Sequence, residues 1–276
     1  MKNIKNQSTA ESSQGASTPE NSEARAPVQL GGNAAHAVAS LGASRTRIKI
    51  CGLTREEDVD AAVQAGADAI GFVMYEKSPR YVSPEQAKKL MRRIPAFVSS
   101  VLLFVNEDTT KIRAIYDHLM PTLLQLHGDE SPNSCLQLEK PYIRAARIPL
   151  DAPQAFDLVK FSQDFATAQA ILVDAHVEGF GGGGKAFNWN AINWSHPLLA
   201  ASSRLVLSGG LTPANVTDGI MHVRPWAVDV SSGVEADAPD GPHGPGGTLK
   251  GIKDPGKIIQ FIAAVRCADT LLNTTL

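Results

Sequence analysis

Arg47-Ile48-Lys49-Ile50-Cys51-Gly52-Leu53-Thr54 is a short β-branched run that stops at a glycine and turns at once toward a helix. A strand that ends in a reactive side chain and passes straight into a helix is the repeating unit of alternating β/α folds. Such folds collect their chemistry at the C-terminal ends of the strands. The pattern recurs along the chain, with apolar or β-branched runs at 47–51, 68–73, 98–105, 122–126, 142–147, 170–174, 204–208 and 226–230. Helix starts fall between them. Thr54 precedes Glu57 by three residues, which reads as a capping box. Ser83-Pro84-Glu85 supplies an N-cap, a proline at the first helical position and an early acid. Thr212-Pro213 and Asp254-Pro255 repeat the device and predict helices over 214–221 and 256–266. Parallel neighbours need connections long enough to hold a helix, so these units predict a single-domain (β/α)8 TIM barrel. A doubly wound open sheet would need a GxGxxG turn after an early strand, and Cys51-Gly52-Leu53-Thr54 contains none.

The bulk composition fits that fold and excludes several functions. At 276 residues the chain exceeds the roughly 200–250 that one barrel uses. The surplus is at the front. Residues 1–44 are rich in Ser, Ala, Asn, Gly and Gln and cannot bury enough apolar surface to offset their ordering entropy, so they read as a disordered tail, with the catalytic barrel over 45–276. Glu11, Glu20 and Glu23 weigh against an organelle transit peptide, and no apolar core of a secretory signal is present. A net charge of −2 gives no bulk attraction to nucleic acid or to an anionic membrane. No apolar stretch approaches the roughly 20 residues that span a bilayer. Cys51, Cys135 and Cys267 are odd in number and far apart, which argues against a disulfide framework or a thiolate metal site and for a reducing cytoplasm. Nothing in the helix faces specifies an oligomer, so a monomer is the default expectation.

Candidate chemistry lies at the strand ends. Cys51 closes the first run, and Ala170-Ile171-Leu172-Val173 ends in Asp174, so one possible base and one possible acid occupy equivalent positions. Ser208-Gly209-Gly210 follows the seventh run and Ser231-Ser232-Gly233 the eighth. Small residues let an anion reach free backbone N–H groups there, and in barrels the loops after strands 7 and 8 are the usual phosphate site. Asp229, two positions before Ser231, is aimed into the barrel mouth by strand alternation. It is read either as a ligand to a sugar hydroxyl or as a buried structural acid. Arg80, in the loop after the second run, has the bidentate geometry that recognises a carboxylate. His127 ends the fourth run and either touches substrate or packs and caps. His176 is read as a loop residue. Gly179 to Lys185 superficially resembles a P-loop, but Ala186 stands where a Ser or Thr would bind magnesium, so a lid is the better reading, anchored by Phe187, Trp189 and Trp194.

Together these segments resemble the phosphoribosylanthranilate isomerase family. The resemblance is carried by Lys49-Ile50-Cys51-Gly52-Leu53-Thr54, Gly71-Phe72-Val73 with Lys77-Ser78-Pro79-Arg80-Tyr81, and Phe104-Val105-Asn106. It continues in Leu124-Gln125-Leu126-His127-Gly128, Leu172-Val173-Asp174, Leu207-Ser208-Gly209-Gly210-Leu211 and Asp229-Val230-Ser231-Ser232-Gly233-Val234-Glu235, so that it covers residues 47–266. The tail and a Pro- and Gly-rich stretch at Ala236–Lys250, expected as mobile surface, depart from it. The resemblance implies a step of tryptophan biosynthesis, the Amadori rearrangement of N-(5-phosphoribosyl)anthranilate to 1-(2-carboxyphenylamino)-1-deoxyribulose 5-phosphate. It implies Asp174 as general acid, Cys51 as general base and Arg80 facing the anthranilate carboxylate. The loops at 208–211 and 231–233 would hold the phosphate, with no cofactor or metal.

The side chains suit that chemistry only with help. An Asp of ordinary pKa about 3.9 is not protonated at neutral pH, and a thiol of about 8.5 is only a few per cent ionised. Two alternatives are open. The related sugar-phosphate isomerase of histidine synthesis uses a carboxylate at the first strand, where this chain has Cys51. A non-catalytic phosphosugar-binding barrel would have no need of both Cys51 and Asp174.

Overall fold

The computed structural model describes residues 45–176, 188–197, 199, 204–239 and 247–274. The 1–44 tail, the Gly-rich segment with Phe187, and the centre of the Pro- and Gly-rich stretch lie outside the described residues. Eight parallel strands form a closed barrel in chain order: β1 Arg47–Cys51, β2 Ala69–Val73, β3 Ser99–Phe104, β4 Leu123–Leu126, β5 Tyr142–Pro149, β6 Ala170–His176, β7 Leu205–Leu207 and β8 Ala227–Val230. β1 has its expected range and each of the others differs by no more than two residues. β1 pairs with β8 through Lys49↔Asp229 and Ile50↔Val230, which closes the ring. β6 runs to His176, paired with Pro149, so His176 ends a strand and is not the loop residue expected.

Helices cover the outside: α1 Glu56–Ala65, α2 Pro84–Met91, α3 Thr109–Leu119, α4 Pro132–Gln137, α5 Leu158–Asp164, α6 Val216–Val223 and α7 Pro255–Thr274. Strand alternation divides the apolar residues into two sets. Ile48, Ile50, Ile70, Phe72, Leu102, Phe104, Leu124, Leu126, Val228 and Val230 face the helices in the main core. Inside the ring, Ile143, Ala145, Ala170, Leu172, Val206 and Ala227 form a separate plug. Above it Cys51, Val73, Leu103 and Val105 form a third cluster. The chemistry therefore stands above this apolar layer.

The capping expectations divide. Ser83 accepts from Gln86 N–H at 3.2 Å and Asp254 from Lys257 N–H at 3.0 Å, as their sequences imply. Thr54 does not cap. Its hydroxyl donates to Gly251 O at 2.6 Å, and α1 begins at Glu56 behind Arg55. The first turn of α1 instead carries Glu56, Glu57 and Asp58 against the helix dipole. Thr212 does not cap either. Asn215 reaches back to it, accepting from Thr212 N–H at 2.8 Å, so α6 starts two residues late, at Val216. The helix expected over 256–266 runs on to Thr274. Part of the stretch expected as mobile surface is a hairpin, β9 Glu235–Asp237 with β10 Thr248–Lys253. Thr248 hydroxyl and Gly251 N–H both donate to the Glu235 carboxylate, at 3.2 and 2.9 Å, which fixes the pairing. No helix among the described residues is long and apolar enough to cross a membrane.

Candidate active site

Two buried polar clusters share the C-terminal mouth of the barrel. The first is built on β1 and β8. Cys51 is 4% exposed, and Lys49, two residues earlier on the same inward face, is equally hidden. Lys49 Nζ donates to Asp229 Oδ1 at 2.7 Å, and Ser208 Oγ donates to Asp229 Oδ2 at 3.2 Å. Both Asp229 oxygens are thus engaged by the protein, the arrangement of a paired buried acid. Gly71 on β2 makes room for the pair. A Cβ there would lie 2.8 Å from Cys51 Sγ and 3.1 Å from Lys49 Nζ. Burial pushes the Cys51 thiol up, the Lys49 ammonium pulls it back, and the Asp229 anion pushes it up again. Burial would lower Lys49, but the Asp229 and Cys51 anions outweigh it and raise the ammonium well above its usual value.

The second cluster is built on β4 and β6. Asp174 Oδ1 accepts from Ala175 N–H at 2.9 Å, and Oδ2 lies 3.0 Å from His127 Nε2. His127 Nδ1 in turn lies 2.9 Å from Gln125 Nε2. The loop after β7 joins the two clusters. Ser208 touches Asp229, while the next residue, Gly209, lies against Asp174. A Cβ at Gly209, whose φ is +78°, would be 2.6 Å from Ala175 N and 2.8 Å from Asp174 Oδ1. Only glycine fits both that backbone angle and that gap.

The two Ser-Gly loops touch backbone to backbone, since a Cβ at Gly233 would sit 1.9 Å from Leu211 O. Asn215 Nδ2 donates to Gly210 O at 3.0 Å and braces the first loop. Gly209, Gly210, Ser231, Ser232 and Gly233 are all half-exposed. Lys253 Nζ supports the second loop from behind, donating to Ser231 O at 2.9 Å. Arg80 does make a bidentate carboxylate pair, but with the protein's own Glu235. Nε and Nη2 donate to its two oxygens at 2.6 and 2.9 Å, and both partners are buried. Burial alone would raise the Glu235 carboxyl; the Arg80 hydrogen bonds, Lys253 and Gly251 N–H hold it at about 2 instead. Burial, reinforced by Arg80 and opposed by Glu235, brings Lys253 down to about 8.

Lys49, Gln125, Glu235 and Lys253 were not singled out from sequence as site residues, and Ser208 was read only as part of the 208–211 loop, not as a partner of Asp229. For Lys49 and Gln125 a signal existed: each is polar, on an inward strand position, two residues before a candidate. For Glu235 and Lys253 there was none, because their meeting depends on the hairpin.

The fold and this mouth define a (β/α)8 enzyme with a thiol and a carboxyl group beside two Ser-Gly loops at the C-terminal ends of the strands. Comparison with known proteins narrows the class. The profile of the family described as N-(5'phosphoribosyl)anthranilate (PRA) isomerase matches residues 48–264. A protein of Dechloromonas aromatica named N-(5'-phosphoribosyl)anthranilate isomerase is 54% identical over 225 residues, covering 82% of this chain and 98% of its own. The crystal structure of phosphoribosyl anthranilate isomerase from Thermotoga maritima is 38% identical, with a TM-score of 0.68 over 80% of this chain and 99% of that one. A crystal structure of the same enzyme type in complex with reduced 1-(o-carboxyphenylamino)-1-deoxyribulose 5-phosphate is 36% identical, with a TM-score of 0.65 and the same coverage. The chain belongs to the phosphoribosylanthranilate isomerase family.

Proposed function

We infer that the protein isomerises N-(5'-phosphoribosyl)anthranilate to 1-(2-carboxyphenylamino)-1-deoxyribulose 5-phosphate, with Asp174 as general acid and Cys51 as general base. Asp174 gives its proton to the furanose ring oxygen, the ring C–O bond breaks, and a Schiff base forms at C1′. Cys51 thiolate takes the proton from C2′, and the resulting enolamine tautomerises to the ketone. The rearrangement is redox-neutral overall, and no step hydrolyses a bond. Lys49 stabilises the thiolate, and Asp229 holds Lys49 in place. The backbone of Gly209, Gly210, Ser231, Ser232 and Gly233 binds the phosphate. Arg80 keeps its Nη1 edge for the anthranilate carboxylate, while His127 acts on substrate through Asp174. Acid, base and phosphate loops all come from one barrel, so the chemistry needs only one chain, residues 45–276 acting as one catalytic domain. A base that must remain a thiol suits the reducing cytoplasm, and all three cysteines are free.

The observation that carries the reading is the adjacency of Ser208 and Gly209, which ties the Lys49–Asp229 pair beside Cys51 to the Asp174 carboxyl. Substrate fluorescence provides the assay. Cys51→Ala and Asp174→Asn should each lower kcat by about 10²–10⁴-fold with little change in affinity for phosphate ligands. Undiminished turnover in both would remove the acid–base assignment. Arg80→Ala should act mainly through a raised KM, and a pure kcat effect would count against its binding role.

A further inference from the structure

The acid side of the site has a second tier that the rearrangement itself does not call for. Gln125 is fully buried inside the barrel on β4, and strand alternation sets it on the same interior face as His127. Its Nε2 faces His127 Nδ1 at 2.9 Å, and His127 Nε2 faces Asp174 Oδ2 at 3.0 Å. Gln125 Oε1 points elsewhere and has no hydrogen-bond partner among the described residues. An amide nitrogen can only donate, so the ring nitrogen opposite it must accept and carries no proton. The imidazole then bears its hydrogen on Nε2 and donates it to Asp174.

The opposite arrangement has different chemistry. With Oε1 turned toward the ring, Nδ1 would carry a hydrogen. Nε2 would then either accept the Asp174 proton or be protonated as part of an imidazolium. In the first case the acid's proton is committed to the histidine, and in the second a cation faces a group that must hold its proton. With the ring hydrogen on Nε2, as Gln125 Nε2 opposite Nδ1 requires, both of these contacts of Asp174, from Ala175 N–H and from His127, are donors. Any proton on the carboxyl therefore lies on a lone pair that neither neighbour uses.

We propose that Gln125 is a positioning residue that fixes His127 as a one-way donor to Asp174, so that the acid's proton goes to the substrate and not to the imidazole. The proposal rests on the reading of Asp174 as general acid, but its first test does not use turnover. In ¹⁵N-histidine-labelled protein at neutral pH, His127, assigned by its loss in His127→Gln, should show the neutral ring with hydrogen on Nε2. Gln125→Glu places an acceptor opposite Nδ1. It should move the signal to the Nδ1–H or doubly protonated pattern and lower kcat about 10–100-fold, with KM within about threefold. His127→Gln keeps an amide donor near Asp174 without a ring that can accept. It should therefore recover at least about tenfold of the kcat lost in His127→Leu.

A wild-type spectrum with hydrogen on Nδ1 overturns the proposal, whatever the variants do. So does Gln125→Glu turning over like wild type, or His127→Gln no better than His127→Leu. Failure of the acid assignment would look different: Asp174→Asn would keep its turnover while the predicted tautomer was still observed.

Discussion

Gly71 bears no functional group, yet two reactive side chains lie against it. A methyl there would press on Cys51 Sγ and Lys49 Nζ at 2.8 and 3.1 Å, inside a packed barrel. Gly71→Ala is expected to cost about 1–3 kcal/mol by overpacking and to lower kcat more than tenfold, checked by thermal melting and turnover. Lys49 contributes differently. Lys49→Met leaves Asp229 buried without its cation, which should cost about 3–5 kcal/mol. It should also slow alkylation of Cys51 by iodoacetamide. Because burial raises the Cys51 thiol above its ordinary value, the thiolate is the minor form at neutral pH, and Lys49, ahead of Lys253, pulls it back down. An unchanged alkylation rate would deny Lys49 that part. At this scale the placement of Cys51 at the end of β1 was legible, whereas Asp174 stands two residues inside β6 and His176, which ends it, was read as a loop residue. The sequence was less legible two residues upstream of Cys51, where an inward polar residue reads like any other alternation until its partner is seen.

Elements were read well where local chemistry decides them. Eight apolar runs between crossovers became eight strands, and Ser83 and Asp254 capped as their neighbours required. Thr54 failed because its hydroxyl is turned to Gly251 O, a group distant in sequence, while at Thr212 it is Asn215 that reaches back, accepting from the Thr212 backbone N–H. Hairpin β9–β10 was misread for a related reason, since its stability comes from Glu235 and not from its Pro- and Gly-rich composition. Glu235 holds a carboxyl at about 2 against an ordinary value near 4.5. A depressed acid contributes stability that is complete above about pH 4.5 and is lost as pH falls from there toward 2. Glu235→Gln leaves Arg80 and Lys253 buried without their anion. Urea unfolding at pH 7 should show a loss of about 3–5 kcal/mol. The dependence of stability on pH between 4.5 and 2 should become shallower than in the wild type.

Across the whole molecule, the matched residues 48–264 and all eight barrel strands lie inside 45–276. A chain beginning at residue 45 is therefore expected to match the full-length protein in kcat and KM, measured side by side, and a loss of more than a few-fold would give the first 44 residues a part in catalysis. Closure of the barrel carries a consequence for how activity is acquired. Lys49 and Cys51 stand on the first strand and Asp229 on the last, and only the β1–β8 pairing brings them together. That contact spans nearly the whole barrel sequence, the kind of long-range closure that forms slowly. During refolding, helical circular dichroism should return first and turnover only with the final seam, so a half-built ring is a protein with most of its backbone order and no catalysis.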